Sequence, residues 1–329
     1  MKWNHEIEFD NIANFLGKLF NKTPEAIKER FVNIPDMYVL AFKDDSDIKG
    51  VMVSIRNDKA DNILETIYVA FEPDFNFKET NVFNKLNNFC KTEYIDLVFA
   101  QTISENSFVN VDIEKLSQII TLNTRVLMKL TISDYKEKWY DKVKGELPKI
   151  SSDKLDFNKK FKVSGEKKSK KFTVISLNEV SWVKVAELQN KVYANLDLKD
   201  NLSIISKKTI DYNISLITKL FSGFYGHLSD TNSYIALSDA GEVAGYIVNL
   251  EPSNKKGFIA DFAVDPSFQG YGLGKVLLRN TVIKYFEQLD CDSIGLAVSI
   301  DNNTAIEIYV DNGFQFEAEE IKEGILFID

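Results

Sequence analysis

Cysteine and histidine are almost missing from this chain: 329 residues hold two cysteines, Cys90 and Cys291, and two histidines, His5 and His227. That scarcity removes several kinds of chemistry. The cysteines make neither a disulfide framework nor a metal-ligand spacing, so they read as small buried hydrophobes. With no histidine near a cysteine or aspartate cluster in the sequence, neither a zinc centre nor a Ser-His-Asp triad is expected, and the metal expectation is none. No apolar run approaches the ~20 residues of a membrane-spanning helix, and Met-Lys-Trp-Asn-His-Glu-Ile-Glu-Phe-Asp lacks the apolar stretch of a signal peptide. The expectation is a soluble, cytoplasmic protein with no membrane partner. Positive charge is the minority, 40 Lys and Arg against 49 Asp and Glu, for a formal net charge of -9. A nucleic-acid partner, which asks for a basic face, is therefore not expected. A cationic substrate suits the balance, although acidity also serves solubility.

What is there is enough apolar material for packed cores: 44% hydrophobic residues with 27% charged describes a globular chain. The length suits two domains of ordinary size. The most informative segment is Val264-Asp-Pro-Ser-Phe-Gln-Gly-Tyr-Gly-Leu-Gly274, which ends an apolar strand pattern and opens a helical one running from Lys275 to Leu289. A glycine-rich turn at a helix N-terminus presents inward-turning amides and the positive end of the helix dipole, which together suit a phosphate. The spacing excludes two common phosphate loops. No glycine stands four residues before a Gly-Lys-Ser/Thr, and glycines at 270, 272 and 274 do not make G-x-G-x-x-G. The pattern that fits is Q-x-x-G-x-G, from Gln269, Gly272 and Gly274.

Downstream, Asn302, Ala305, Tyr309, Gly313 and Phe314 form N-x-x-A-x-x-x-Y-x-x-x-G-F. In that order, with a helix and a strand between them, the two motifs resemble those of the GNAT acetyltransferases over about residues 172 to 329. The resemblance implies an α/β (α+β) fold, a mixed and mostly antiparallel sheet flanked by helices with splayed parallel central strands. It implies acetyl-CoA as co-substrate, with no metal. It also implies that the amides of Gln269, Gly270, Tyr271, Gly272, Leu273, Gly274 and Lys275 hold the pyrophosphate. The main chain at Phe262 and Val264 would pair with the pantetheine arm, and Asn302 would contact that arm. Asn302 also reads as the cap of the helix that follows it.

A degenerate internal repeat offsets by about 195 residues. Ser233 to Ser238, a turn at Asp239-Ala-Gly241 and Gly245-Tyr-Ile-Val form a hairpin pattern, answered by Met37 to Phe42, Asp44-Asp-Ser-Asp and Gly50-Val-Met-Val. Tyr68-Val-Ala-Phe-Glu-Pro73 answers Asp261-Phe-Ala-Val-Asp-Pro266, and strand Ile95 to Ala100 answers Ser293 to Val298. Where Gln269, Gly272 and Gly274 stand, the first half has Asn76, Glu79 and Asn81. A carboxylate at the pyrophosphate position opposes binding by like charge. The expected organisation is a degenerate GNAT-like domain without cofactor (1–148), a basic Lys- and Ser-rich linker (149–171) and a catalytic domain (172–329). This is similar to tandem members of the superfamily of the mycothiol-synthase type. The segment Ser133 to Leu147, carrying Trp139 and Tyr140, is expected to pack as a helix before the linker.

The chemistry implied is N-acetylation of a primary amine, on a small molecule or a peptide, by direct attack in a ternary complex. Tyr309 is the candidate proton donor to the departing thiolate. An alkylamine is protonated at neutral pH and must lose a proton, for which Asp261 is entered as base, with Glu251 and the C-terminal Asp329 as weaker candidates. Acceptor recognition is expected between Ser181 and Gly223, where Tyr193, Asp197, Asp200 and Tyr212 are available. The alternative is a non-catalytic acyl-CoA sensor or scaffold. Oligomeric state and acceptor identity are not written in these motifs.

Overall fold

A computed structural model describes residues 9–31, 37–44, 47–56, 60, 62–73, 82–103, 108–112, 116–117, 120–141, 160–163 and 170–328. The chain divides into two compact units, one of Met1–Thr124, Lys199–Asn201 and Ile321–Asp329, the other of Arg125–Leu198 and Leu202–Glu320.

The first unit starts with α1 (Phe9–Phe20) and α2 (Pro24–Phe31). In α1 the apolar residues recur on one face, burying Ile12, Ala13 and Leu16, while Asp10 near the start and Lys18 near the end complement the helix dipole. Strands β1 (Met37–Asp44), β2 (Asp47–Arg56) and β3 (Ile63–Phe71) form an antiparallel meander. Their apolar runs are nearly continuous because both faces are covered. Met37, Val39, Ala41, Val51 and Val53 pack with α1, and Tyr38, Leu40, Phe42 and Met52 pack with Leu86 and Cys90 of α3 (Val82–Thr92). After α3, β4 (Leu97–Ile103) lies parallel to β3, as a helical crossover requires. The short β5 (Phe108–Val109) follows, and β6 (Thr121–Thr131) passes from this unit into the next.

In the second unit β6 leads into a helical segment, α4 (Ile132–Asp134), continued by a π-helical turn Tyr135–Trp139. Next come β7 (Lys160–Val163), β8 (Lys170–Ser176), α5 (Trp182–Ala194), α6 (Asn201–Ser206) and α7 (Asp211–Phe221). The meander β9 (Tyr234–Ser238), β10 (Val243–Ser253) and β11 (Lys256–Val264) repeats the β1–β2–β3 arrangement. Helix α8 (Leu273–Ile283) crosses to β12 (Ser293–Ser299), parallel to β11, and α9 (Asn303–Val310) precedes β13 (Gln315–Phe327). The sheet of this unit runs β6, β12, β11, β10, β9, β8, β7. Each unit is thus a mixed, mostly antiparallel sheet flanked by helices, with one parallel pair at its centre. The last strand belongs to both units in turn: Lys129 of β6 bonds Glu317 in the second, and Lys322 to Phe327 pair with β4 in the first.

The repeat extends to single positions. Gly50 pairs with Phe71, and a Cβ on it would meet the Phe71 ring at 2.1 Å. Gly245 pairs with Val264, and a Cβ there would meet the Ala263 carbonyl oxygen at 3.0 Å. Both glycines let the end of the following strand cross closely.

Burial pushes the Cys90 thiol up to about 12 and the Cys291 thiol, beside Asp290 and Asp292, up to about 11. Both are free and buried. Among the described residues no helix is long and apolar enough to cross a membrane. Asn76, Glu79, Asn81 and Asp329 lie outside the described residues. So do 149–159 and 164–169 of the expected linker, whereas 160–163 and 170–171 stand in β7 and β8.

Candidate active site

The glycine-rich turn is shaped from its own ends. Asp265 accepts the Ser267 N–H at 2.8 Å and starts a 3-10 turn, Pro266–Phe268, whose Phe268 is buried and pins the loop to the core. The chain then needs two left-handed residues, supplied by Gly270 (φ 77) and Gly272 (φ 85). Gly272 occupies the N-cap of α8, so no side chain caps that helix, and its first turn holds no acidic residue. The first ladder bond is Val276 N–H to the Gly272 carbonyl at 3.2 Å, which leaves the N–H groups of Leu273, Gly274 and Lys275 without an intrahelical acceptor. These donors sit at the positive end of the dipole on a partly exposed turn. Gly274 lets the helix close on the strand, because a Cβ there would stand 3.3 Å from the Phe262 ring. Gln269 reaches back to donate to the Val264 carbonyl at 3.0 Å. Lys275 is exposed, 3.9 Å from Asp311, and Tyr271 packs against the core with the Lys170 ammonium 5.6 Å above its ring.

Strands β11 and β12 pair only from Lys256↔Ser293 to Ile259↔Leu296, then part. Since the Asp265 N–H bonds Ala244 of β10, strand alternation turns the main-chain groups of Phe262 and Val264 the other way, into the gap. Among the described residues no strand pairs with them there. The first unit differs at the same point. Beyond Glu65↔Phe99 its gap is taken by β5, with Val69↔Phe108 and Ala70↔Val109, and Asn110 donates to the Phe71 carbonyl at 2.8 Å. Val69 and Phe71 are the counterparts of Phe262 and Val264; in the second unit Asp261 Oδ1 accepts the Phe262 N–H and Gln269 donates to the Val264 carbonyl, while no described strand pairs with the Phe262 carbonyl or the Val264 N–H.

Across the gap, Asn302 caps α9, its side chain accepting the Ala305 N–H at 3.1 Å. Tyr309 lies two turns on, buried at 7% exposure, with its ring 5.8 Å from that of Phe314. Its hydroxyl has no hydrogen-bond partner among the described residues. Burial raises its pKa, the negative charge of Asp261 raises it further, and Arg125 opposes both. Gly313 ends the helix in the left-handed region (φ 91), with the Phe314 N–H returning to the Tyr309 carbonyl at 3.1 Å. A Cβ on Gly313 would collide with the Trp139 indole at 2.5 Å. Gly313→Ala is expected to lower stability by about 2–4 kcal/mol, from left-handed strain plus overpacking, read as a drop in the thermal midpoint. An unchanged midpoint would remove Trp139 as the reason for this glycine.

Asp261 is the centre of a polar cluster, not a solvated carboxylate. It is 8% exposed and accepts from Gln189 Nε2 at 2.6 Å, Tyr246 Oη at 2.7 Å, Phe262 N–H at 2.9 Å and Tyr193 Oη at 3.0 Å. Burial raises its pKa, and those donors offset part of the rise. Gln189 is held in turn by Asn213, whose Nδ2 donates to Gln189 Oε1 at 3.0 Å and to Ser206 Oγ at 2.9 Å.

Of the acceptor-side candidates, Tyr193 thus reaches the site. Tyr212 is a buried core residue at 4% exposure and Asp197 is exposed; Asp200 is buried and counted with the first unit. Glu251 is exposed. Sequence reasoning missed Gln189 and Tyr246. Gln189 was within reach, because it stands four residues before Tyr193 on α5 and shares its face. Tyr246 sits opposite Ala263 on the neighbouring strand, a register that no spacing in the sequence gives.

The sequence profile of the acetyltransferase (GNAT) family matches residues 204–314, which contain the turn, the gap and Tyr309. Residues 204–314 of the chain are therefore those of an acetyltransferase (GNAT) domain. It is similar to the spermine/spermidine N(1)-acetyltransferase of Bacillus subtilis (strain 168) and to a probable spermine N(1)-acetyltransferase of Bacillus subtilis subsp. natto (strain BEST195). With each it shares 34% identity over 77 residues, 23% of this chain and 51% of the relative. The chain therefore spans about half the length of these curated relatives. In fold it is similar to a glucosamine N-acetyltransferase region of a fungal multi-domain GH3 β-N-acetylglucosaminidase, at 10% identity and a TM-score of 0.51, covering 98% of this chain and 37% of that one.

Proposed function

We propose that the second unit is an N-acetyltransferase moving an acetyl group from acetyl-CoA to a cationic primary amine in a ternary complex. The observation that carries this reading is the coincidence of an uncapped helix N-terminus, an unpaired stretch of β11 and the hydroxyl of Tyr309 around one gap between parallel strands. Acetyl-CoA supplies an activated acyl group on a thiol leaving group. Every other requirement falls to the chain. The amides from Gly270 to Lys275 hold the pyrophosphate, the Phe262 carbonyl and the Val264 N–H align the pantetheine amides as an added strand would, and Asn302 lines the opposite wall.

Tyr309 keeps its proton at neutral pH because burial and the Asp261 charge hold its pKa above the ordinary phenol value. A full transfer from such a phenol to a thiolate is uphill, so its contribution is a hydrogen bond that strengthens as charge grows on sulfur. Asp261 provides a buried negative charge whose field favours an ammonium acceptor. The similarity to polyamine acetyltransferases agrees with a cationic acceptor and guides the first assay. In the first unit, β5 and Asn110 occupy the corresponding strand edge, which supports a role without cofactor for that unit.

The test is thiol release from acetyl-CoA by the full chain with a panel of amines that includes spermine and spermidine. Release that depends on the amine, with the acetylated amine found by mass, is the expected outcome. Tight acetyl-CoA binding without amine-dependent release would replace the enzyme with an acyl-CoA sensor.

A further inference from the structure

Three side chains hold the Asp261 carboxylate, and two of them are sealed: Gln189 and Tyr246 are each 0% exposed. Tyr193 is only half-buried, so it is the one member of the set with surface open to a ligand. Its hydroxyl donates to Asp261 Oδ1 at 3.0 Å while Oδ2 is taken by Gln189 and Tyr246. The carboxylate therefore has no free direction from which to meet an amine. Tyr193 stands on α5, within the stretch where acceptor recognition is expected, and is the partly exposed end of this cluster.

From this arrangement we propose that Tyr193 relays the proton of the acceptor ammonium to Asp261, and that Gln189, locked by Asn213, is the positioning residue that keeps Oδ1 turned toward it. The inference rests on the acetyltransferase reading. One N–H bond of the ammonium breaks as its proton moves to Tyr193 Oη. The phenolic O–H breaks at the same time, as its proton moves to Asp261 Oδ1. The products are a neutral amine with its lone pair free, a neutral tyrosine and a neutral carboxylic acid, so charge and protons balance and no oxidant or reductant is needed. The proton on Asp261 returns to solvent by the same route after product leaves.

The burial of Asp261 suits the role, since a carboxyl whose pKa is raised from its ordinary value is a stronger base than one at the surface. The titratable groups around it are Tyr193 on α5, Tyr246 on β10 and, through its field, Tyr309 on α9. The pH dependence then has a definite sign. The relay needs Asp261 ionised, so kcat falls as pH drops through its pKa. Removing a donor to the ionised carboxylate raises that pKa and moves the acid limb to higher pH.

The experiment measures kcat against pH for the full chain and for Tyr193→Phe and Tyr246→Phe, with the cationic amine that releases most thiol in the wild-type assay. It adds a titration of the Asp261 carboxyl carbon by isotope-edited NMR, which reads the network whether or not turnover survives. Both variants are expected to raise the carboxyl titration and shift the acid limb upward. Only Tyr193→Phe removes the relay, so its high-pH plateau is expected to fall about 100-fold or more, the usual worth of a positioned acid–base group. Tyr246→Phe is expected to lower the plateau less than about tenfold. Acetyl-CoA affinity by calorimetry should stay within about twofold in Tyr193→Phe, which separates the relay from a loss of folding. A Tyr193→Phe plateau equal to that of Tyr246→Phe, or a carboxyl titration unmoved in both, overturns the relay and leaves the acetyltransferase intact. A wild-type chain without amine-dependent release overturns both.

Discussion

Gly272→Glu is expected to abolish acetyl-CoA binding, with calorimetry showing affinity reduced by more than about 100-fold, while the fold survives. Two effects add. A side chain at φ 85 carries left-handed strain of about 1–2 kcal/mol, which a partly exposed turn absorbs without unfolding. The larger effect is electrostatic. The amides of Leu273, Gly274 and Lys275 have no intrahelical acceptor, and a carboxylate at the N-cap position would satisfy them from within and repel a pyrophosphate. The chain has made a similar exchange already, since Glu79 stands at the corresponding place in the first half of the sequence. Gly272→Ala separates the two effects, because it brings the strain without the charge and is expected to weaken binding less than about tenfold. If the glutamate variant bound acetyl-CoA as well as the parent does, the turn would not be the anion site.

Tyr309→Phe is expected to lower kcat by about 100- to 1000-fold, the measured range for removing one donor aimed at developing charge. Acetyl-CoA affinity should stay within about twofold, because the hydroxyl makes no bond to the resting protein and its contribution appears only as the thiolate forms. The ring stays in place against Phe314, so the substitution deletes an oxygen and little else. The measurement is steady-state kcat beside calorimetric affinity for the two proteins. A parallel loss of both would make Tyr309 a packing residue of α9, and a loss of neither would move the proton donor elsewhere.

Much of the glycine turn and of the helix carrying Tyr309 was legible in the sequence because their parts are local. Gly270 and Gly272 sit where the backbone needs positive φ, Gly274 where a helix crosses a strand, and Asn302 where a helix needs a cap. Each is fixed by the few residues around it. The spacing from Asn302 to Phe314 holds one short helix and its left-handed end, which the Phe314 N–H bond to Tyr309 closes. The acceptor side was less legible. Asp197 and Tyr212 had the right composition, yet one faces solvent and the other is core, because a helical stretch of mixed residues does not state which face turns inward. Ile210 shows the same limit: it belongs to the apolar run Ile210, Ile214, Ile217 and Phe221, but it stands 36% exposed at the end of its helix, while Ile217 is fully buried.

By itself, the sequence determined the class of fold, the glycine turn at the start of α8 and the helix that carries Tyr309, since short-range backbone geometry and side-chain periodicity fix all three. Tertiary structure alone decided what Asp261 is. Gln189, Tyr193, Tyr246 and Phe262 converge on it from two strands and a helix, and only these long-range contacts make it a buried, fully hydrogen-bonded carboxylate. Tertiary structure also decided why one gap is open and the other shut. Strand pairing is a long-range contact, and the gap beside Val69 and Phe71 is filled because Phe108 to Asn110 comes to rest there, whereas no described strand pairs at Phe262 and Val264.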